Sequence, residues 1–235
     1  RTGGVLRYFD SDGGDNEFIH LIYVLADHQC QEINQVYFDD KLAFFREFPQ
    51  GDYIDNAIAI YELGDQTGAN AQIVSLTPDG WTDEHELLGQ TYIYFRLKYN
   101  TELYQGIPNI SVDVTGKNTI FDPRTGTTGW SDNQALCVRD FIASEVGFNF
   151  DNFNEQSFID GANVCEELVF SSNTPPFEVE RRYILNGQFS IDGNPQDILS
   201  ALETTGLSKT LFVQGEVVYL SGQYEAPLAN YNESD

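Results

Sequence analysis

Near residue 120 the spacing of apolar residues changes period, and no single repeating architecture accommodates both sides of that change. Before it, apolar side chains recur at every second position or in short runs. After it, they recur at intervals of three and four. A period of two lines one face of a strand, whereas the three-four spacing lines one face of a helix. The expected fold is therefore a β-rich part over residues 1–120, a barrel or a sandwich, followed by an α+β part over 121–235. With 235 residues, each part is long enough to bury its own core.

In the first part, FIHLIYVLAD from Phe18 is a mostly apolar run of strand length, interrupted by His20. EINQVYFDD alternates and ends in Asp39-Asp40, a turn site, so these two runs read as a hairpin or as adjacent strands. AIAIY from Ala57 is a further strand. Pro78-Asp79-Gly80 is a turn, because proline presets φ and glycine tolerates positive φ. TYIYFRLKYN alternates cleanly, with Tyr92, Tyr94, Arg96 and Lys98 on one face and Ile93, Phe95, Leu97 and Tyr99 on the other. NISVDVTG alternates again.

In the second part, Ser131-Asp132-Asn133 offers helix caps ahead of Ala135, Leu136, Val138, Phe141 and Ile142, with Gly147 closing the helix. A second helical pattern opens at Asn154 and carries Phe158, Ile159, Ala162, Val164-Cys165 and Leu168, with Gly161 in its middle. RRYILNGQFSI predicts two strands joined by Asn186-Gly187. Pro195 to Thr204 predicts a third helix with Gly206 past its end, and TLFVQGEVVYLSG a closing pair of strands around Gln214-Gly215.

Charge narrows the function. There are 37 acidic residues against 12 basic ones, a formal charge of −25, and the basic residues nowhere form a run. Phosphate binding through counterion release needs a positive patch, so sequence-specific nucleic-acid binding is not expected. An anionic membrane surface would repel the chain, and no apolar run reaches the ~20 residues of a membrane helix, so no membrane insertion is expected. Three cysteines, Cys30, Cys137 and Cys165, are too widely spaced for a zinc motif and read as isolated thiols in a reducing compartment.

Catalytic chemistry finds little purchase. There is no Gly-x-Ser-x-Gly elbow, no phosphate loop and no recognisable Cys/His setting. Cys137 reads as a small core residue, although a meeting with His28 is conceivable. His20, His28 and Cys30 match no metal spacing, and His20 reads as a hydrogen-bonded core or edge histidine. The acidic stretch Asp10 to Glu17 offers oxygens and glycines of the kind Ca²⁺ uses, but its glycines stand at the fourth and fifth positions, not the sixth. It reads first as an acidic turn, with calcium as the cofactor alternative. Glu166-Glu167 and Asp83-Glu84 read as surface charge, since adjacent carboxylates do not straddle a sugar cleft. No enzyme is expected.

The segment GIPNISVDVTGKNTIFDPRTGTTGWSDNQALCVRDFIASEVGF, from Gly106, resembles the central tail-tip (host-specificity, tail hub) proteins of lambda-like siphophages. The resemblance lies in an Ile-Pro-Asn strand, a Gly-Lys turn, a Phe-Asp-Pro-Arg-Thr-Gly loop and a Trp-Ser-Asp-Asn helix start. It continues through FIDGANVCEELV and RRYILNGQFSIDGNPQDILSAL to GEVVYLSGQYEAP and the terminal NESD. It covers 106–235 and reaches the first hundred residues only in general texture. The chain departs from the pattern at Gln134, where proline is usual; this costs the helix a first-turn proline and no evident function.

The resemblance implies a homotrimeric hub that continues and closes the tail tube, with tube-like β-barrel domains and α+β insertions. Its implied partners are the distal tail ring, other tip proteins and the tape measure protein. Its implied location is the tail tip of the virion, assembled in the host cytoplasm. Family members extend beyond a motif like NESD, so the chain is expected to be a segment or a smaller relative. Asp122, Pro123, Arg124, Thr125, Gly126 and Trp130 are then packing and interface elements. Arg124, Arg181 and Arg182 are candidates for pairing across a subunit boundary. The rival reading is a receptor- or carbohydrate-binding module built on Tyr92, Tyr94 and Trp81.

Overall fold

A computed structural model describes residues 1–78, 80–148, 150–172, 174–190 and 192–223. The chain divides into two compact units, Arg1–Thr119 and Ile120–Asp235.

The first unit is a β-sandwich. One antiparallel sheet has the order β1 (Val5–Asp12), β2 (Phe18–Ala26), β7 (Thr91–Lys98), β6 (Ala57–Leu63). The other runs β5 (Phe48–Pro49), β4 (Lys41–Phe45), β3 (Cys30–Phe38), β8 (Ile110–Lys117). Leu21, Ile93, Phe95 and Ala59 from the first sheet meet Ile33, Val36, Phe38, Phe44 and Val112 from the second in one core. Phe38 is its hub, in edge contact with Phe44, Tyr53 and Phe95.

Four expectations change here. First, β2 and β3 are not a hairpin: the link after Ala26 carries the chain from one sheet to the other. β3 instead turns into β4 through Asp39 and Asp40, both at positive φ as a two-residue hairpin turn requires.

Second, the acidic turn is preceded by a full strand, Val5–Asp12, which the sequence pattern does not announce. It runs into the turn at Asp15 and Asn16, both at positive φ, and apolar Val5, Leu6 and Phe9 lie exposed on a sheet edge, without the alternation that marks a half-buried strand. Third, the sheets do not close into a barrel. On one side only an isolated bridge between Thr2 and Val112 joins them, with both N–H···O distances 2.8 Å. The chain then passes through Gly4 (φ +65°), where a Cβ would lie 2.8 Å from the Val24 carbonyl oxygen. On the other side β5 ends in Pro49, which has no N–H to give to β6.

The fourth concerns β7. Both of its faces are buried, because Tyr92, Tyr94, Ile22 and Val24 are covered by Ile73 and Trp81. Ile73 belongs to α1 (Ala71–Leu76), capped by the Asn70 side chain at 2.9 Å from Gln72 N and 3.1 Å from Ile73 N.

The second unit is α+β. It opens with a hairpin of β9 (Ile120–Asp122) and β10 (Thr127–Gly129), which leads into α2 (Gln134–Ser144). α3 (Glu155–Glu166), α4 (Pro195–Thr205) and the hairpin β13 (Lys209–Val213) with β14 (Glu216–Leu220) surround α2. Gly161 of α3 has a packing reason, since a Cβ there would lie 2.4 Å from the Tyr219 ring.

The Asn186-Gly187 hairpin does not form. β12 (Val179–Arg181) pairs instead with β11 (Leu168–Phe170) as a separate ribbon. The following residues run extended, with Tyr183 N–H on the Cys165 carbonyl (3.1 Å) and Leu185 N–H on the Asp132 carbonyl (2.7 Å). These long-range bonds, with Tyr183 and Leu185 packed on the core, override the local turn signal. No helix among the described residues is long and apolar enough to cross a membrane.

Candidate functional site

The motif loop builds the site. Between β9 and β10, Pro123 follows Asp122, whose carboxylate accepts from Arg124 N–H at 2.9 Å while its carbonyl accepts from Gly126 N–H at 2.9 Å. Gly126 takes φ +69°, the conformation that closes such a loop. The Arg124 side chain then folds back on the same carboxylate, with Nη2 2.7 Å from Asp122 Oδ2. That Nη2 also reaches Glu166 Oε1 at the end of α3, at 2.8 Å. One guanidinium thus fastens the hairpin loop to a helix, and it holds both carboxyl groups below their usual range.

The start of α2 forms the opposite wall. Asn133 caps the helix with its side-chain oxygen and donates its amide to the Ala162 carbonyl (2.9 Å) and to Glu166 (3.3 Å). The buried Asp132 takes a bidentate pair from Arg181 at 2.6 and 2.5 Å, and this pairing raises the pKa of that arginine. Between the walls lies a cleft of about 280 Å³ lined by Asp122, Arg124, Asp132, Glu166, Arg181 and Trp130, among others. Trp130 is 44% exposed.

Of the residues singled out in the sequence, Asp122, Arg124, Trp130 and Arg181 therefore meet at one place, with Pro123 shaping the loop. Arg182 does not line the cleft; it pairs with Glu167 at 2.8 Å. Glu166 and Glu167, adjacent in sequence, thus belong to different arginines. Both Arg124 and Arg181 have carboxylate partners within their own chain.

The other candidates resolve individually. His20 is fully buried, with Nδ1 2.8 Å from the Tyr94 hydroxyl and Nε2 3.0 Å from Asp12, the hydrogen-bonded core histidine expected. In the acidic stretch, Asp12 faces His20 and Asp10 accepts from Tyr8 at 3.2 Å. Among the described residues no group of three or more His, Cys, Asp or Glu side chains is placed to hold a metal. The thiol beside His28 is Cys30, at 3.8 Å, while Cys137 donates to the Ser131 carbonyl at 3.5 Å. Tyr92, Tyr94 and Trp81 are all buried, so the aromatic sugar platform imagined for them does not exist; Trp81 stacks on His85.

One residue carries more than the sequence reading gave it. Gln134, described above as a departure without consequence, is fully buried. Its amide nitrogen donates to the Leu202 carbonyl and to Ser208 Oγ, both at 2.9 Å, and its oxygen accepts from the Tyr219 hydroxyl. Gly206, just past α4, is needed because a Cβ would lie 2.5 Å from that oxygen. The signal was present: Gln134, Val138 and Ile142 fall four apart on the apolar stripe of α2.

No protein-family model matches the chain, and no curated protein matches it either.

Proposed function

We propose that the chain is a non-catalytic assembly module of a bacteriophage tail tip, a hub segment that continues and closes the tail tube in support of host attachment and DNA ejection. The observation that carries this reading is the use made of the most distinctive motif. Asp122 and Glu166 share the Arg124 guanidinium, which locks a loop to a helix; that is the work of a scaffold, and among the described residues of the cleft it leaves no poised nucleophile or acid-base pair. Large apolar side chains on its strands remain exposed, among them Phe9, Phe48, Phe170 and Phe212, as an assembling subunit requires.

In this reading the chain forms a homotrimer and meets the distal tail ring, other tip proteins and the tape measure. Its acidic side chains would line a conduit from which DNA phosphate is repelled. Immunogold electron microscopy of virions from the source, with antibody against this chain, tests the proposal. Label at the tail end distal to the head is expected; virions without label would refute it.

A further inference from the structure

Beyond a scaffold role, the geometry points to the Trp130 cleft as a docking site for a cationic side chain, Arg or Lys, carried on an apolar segment of another protein. Three carboxylates (Asp122, Asp132 and Glu166) face two guanidiniums (Arg124 and Arg181) there, which leaves one negative charge in the lining. That charge has a free end. Glu166 Oε1 is taken by Arg124 and Asn133, whereas its Oε2 has no hydrogen-bond partner among the described residues. The side chain of Glu166 is 45% exposed, so Oε2 can receive a ligand from solvent.

The exposed indole of Trp130 lines the same cleft and attracts a cation through its ring face. An anionic ligand meets the opposite: both arginines are already paired with carboxylates. Because those pairs are formed before anything binds, the cleft is ordered in advance of its ligand.

The flanking surface supplies the apolar half. Arg181 lies across from Leu168 in the β11–β12 ribbon, on the face that continues through Phe170 and Val179. Leu168 and Phe170 are each 70% exposed and Val179 56%, with Phe177 set edge-on to Phe170. A second copy of the chain, itself at −25, offers little basic surface to this face. The complementary partner is a different protein whose basic residue is flanked by apolar ones.

The test is an NMR titration of the full chain, following the two tryptophan indole N–H signals, with Trp130→Phe to assign them. The probes are N-acetyl-Leu-Arg-Val amide, the same peptide with citrulline in place of arginine, and N-acetylglucosamine. The arginine peptide should move the Trp130 signal saturably and leave Trp81 still. Citrulline should bind about tenfold more weakly, and 0.5 M salt should weaken the arginine peptide. Phe170→Ser, an exposed position, should weaken it several-fold.

Equal shifts from arginine and citrulline, movement of Trp81 alone, no saturable shift, or a response to the sugar only would overturn the inference. It stands apart from the hub reading. A failed titration beside labelled tail tips removes only the cleft, and a successful one beside unlabelled virions removes only the hub.

Discussion

The two units solve the same stability problem with different materials. In the first, aromatic and β-branched side chains fill the space between two sheets, and the buried polar group that stands out, His20, is satisfied at both ring nitrogens. In the second, charged and amide groups penetrate the core: Gln134, Arg139, Glu203 and Asp132 are each less than 9% exposed. Arg139 pairs with Glu155 and lies over the rings of Phe121 and Phe153, and Glu203 binds both Lys209 and the Thr210 N–H. The lesson is that short helices and two-stranded ribbons, which bury little apolar area, hold together when directed bonds fix their ends.

If that contrast is right, the largest single loss should come from the apolar unit. Phe38→Ala should cost about 4 kcal/mol, read as lost protection of first-unit amides in native-state hydrogen exchange. Next comes the polar node of the other unit. Gln134→Ala should cost about 3 kcal/mol there, because the buried Tyr219 hydroxyl loses the oxygen it donates to and the Leu202 carbonyl and Ser208 Oγ each lose a donor.

A smaller and pH-dependent effect belongs to Arg124. Asp122 and Glu166 are held low in the folded state by this arginine, so their contribution is present above their unfolded values, near pH 4, and is lost as pH falls through the lowered ones. Arg124→Gln should therefore cost about 1 kcal/mol at pH 7, with the gap from the parent closing below pH 4; the partial exposure of Glu166 keeps it small. Urea melts at pH 7 and 3.5 would show this. Least of all, Phe170→Ser should alter stability by no more than about 0.5 kcal/mol, since its ring is already in solvent.

Much of the framework was legible. β2, β3, β6, β7 and β8 follow from apolar runs and alternation, and α2, α3 and α4 from caps and three-four spacing. What failed was information about partners. Nothing local in TYIYFRLKYN says that its second face is covered, because the cover comes from Ile73 and Trp81. Nothing in Asn186-Gly187 says that the strand before it will be bonded to Asp132 and Cys165.

At the cleft, residue types near the motif are legible in the sequence, and Glu166 is the exposed charge its sequence suggests, but its pairing with Arg124 and the buried bonds of Gln134 are not legible. Both omissions share a cause: a polar residue acquires its role from an atom far along the chain.

The most direct test of the contrast is hydrogen exchange with mass spectrometry at pH 6.5 and pH 3.5, corrected for intrinsic exchange rates, on the parent and on Arg124→Gln. Selective loss of protection at pH 3.5 in β9, β10 and the end of α3, matched at pH 6.5 by the variant, is the expected result. Uniform loss across both units, or an unchanged second unit at pH 3.5, would contradict the claim that ion pairs around the motif loop hold that unit together.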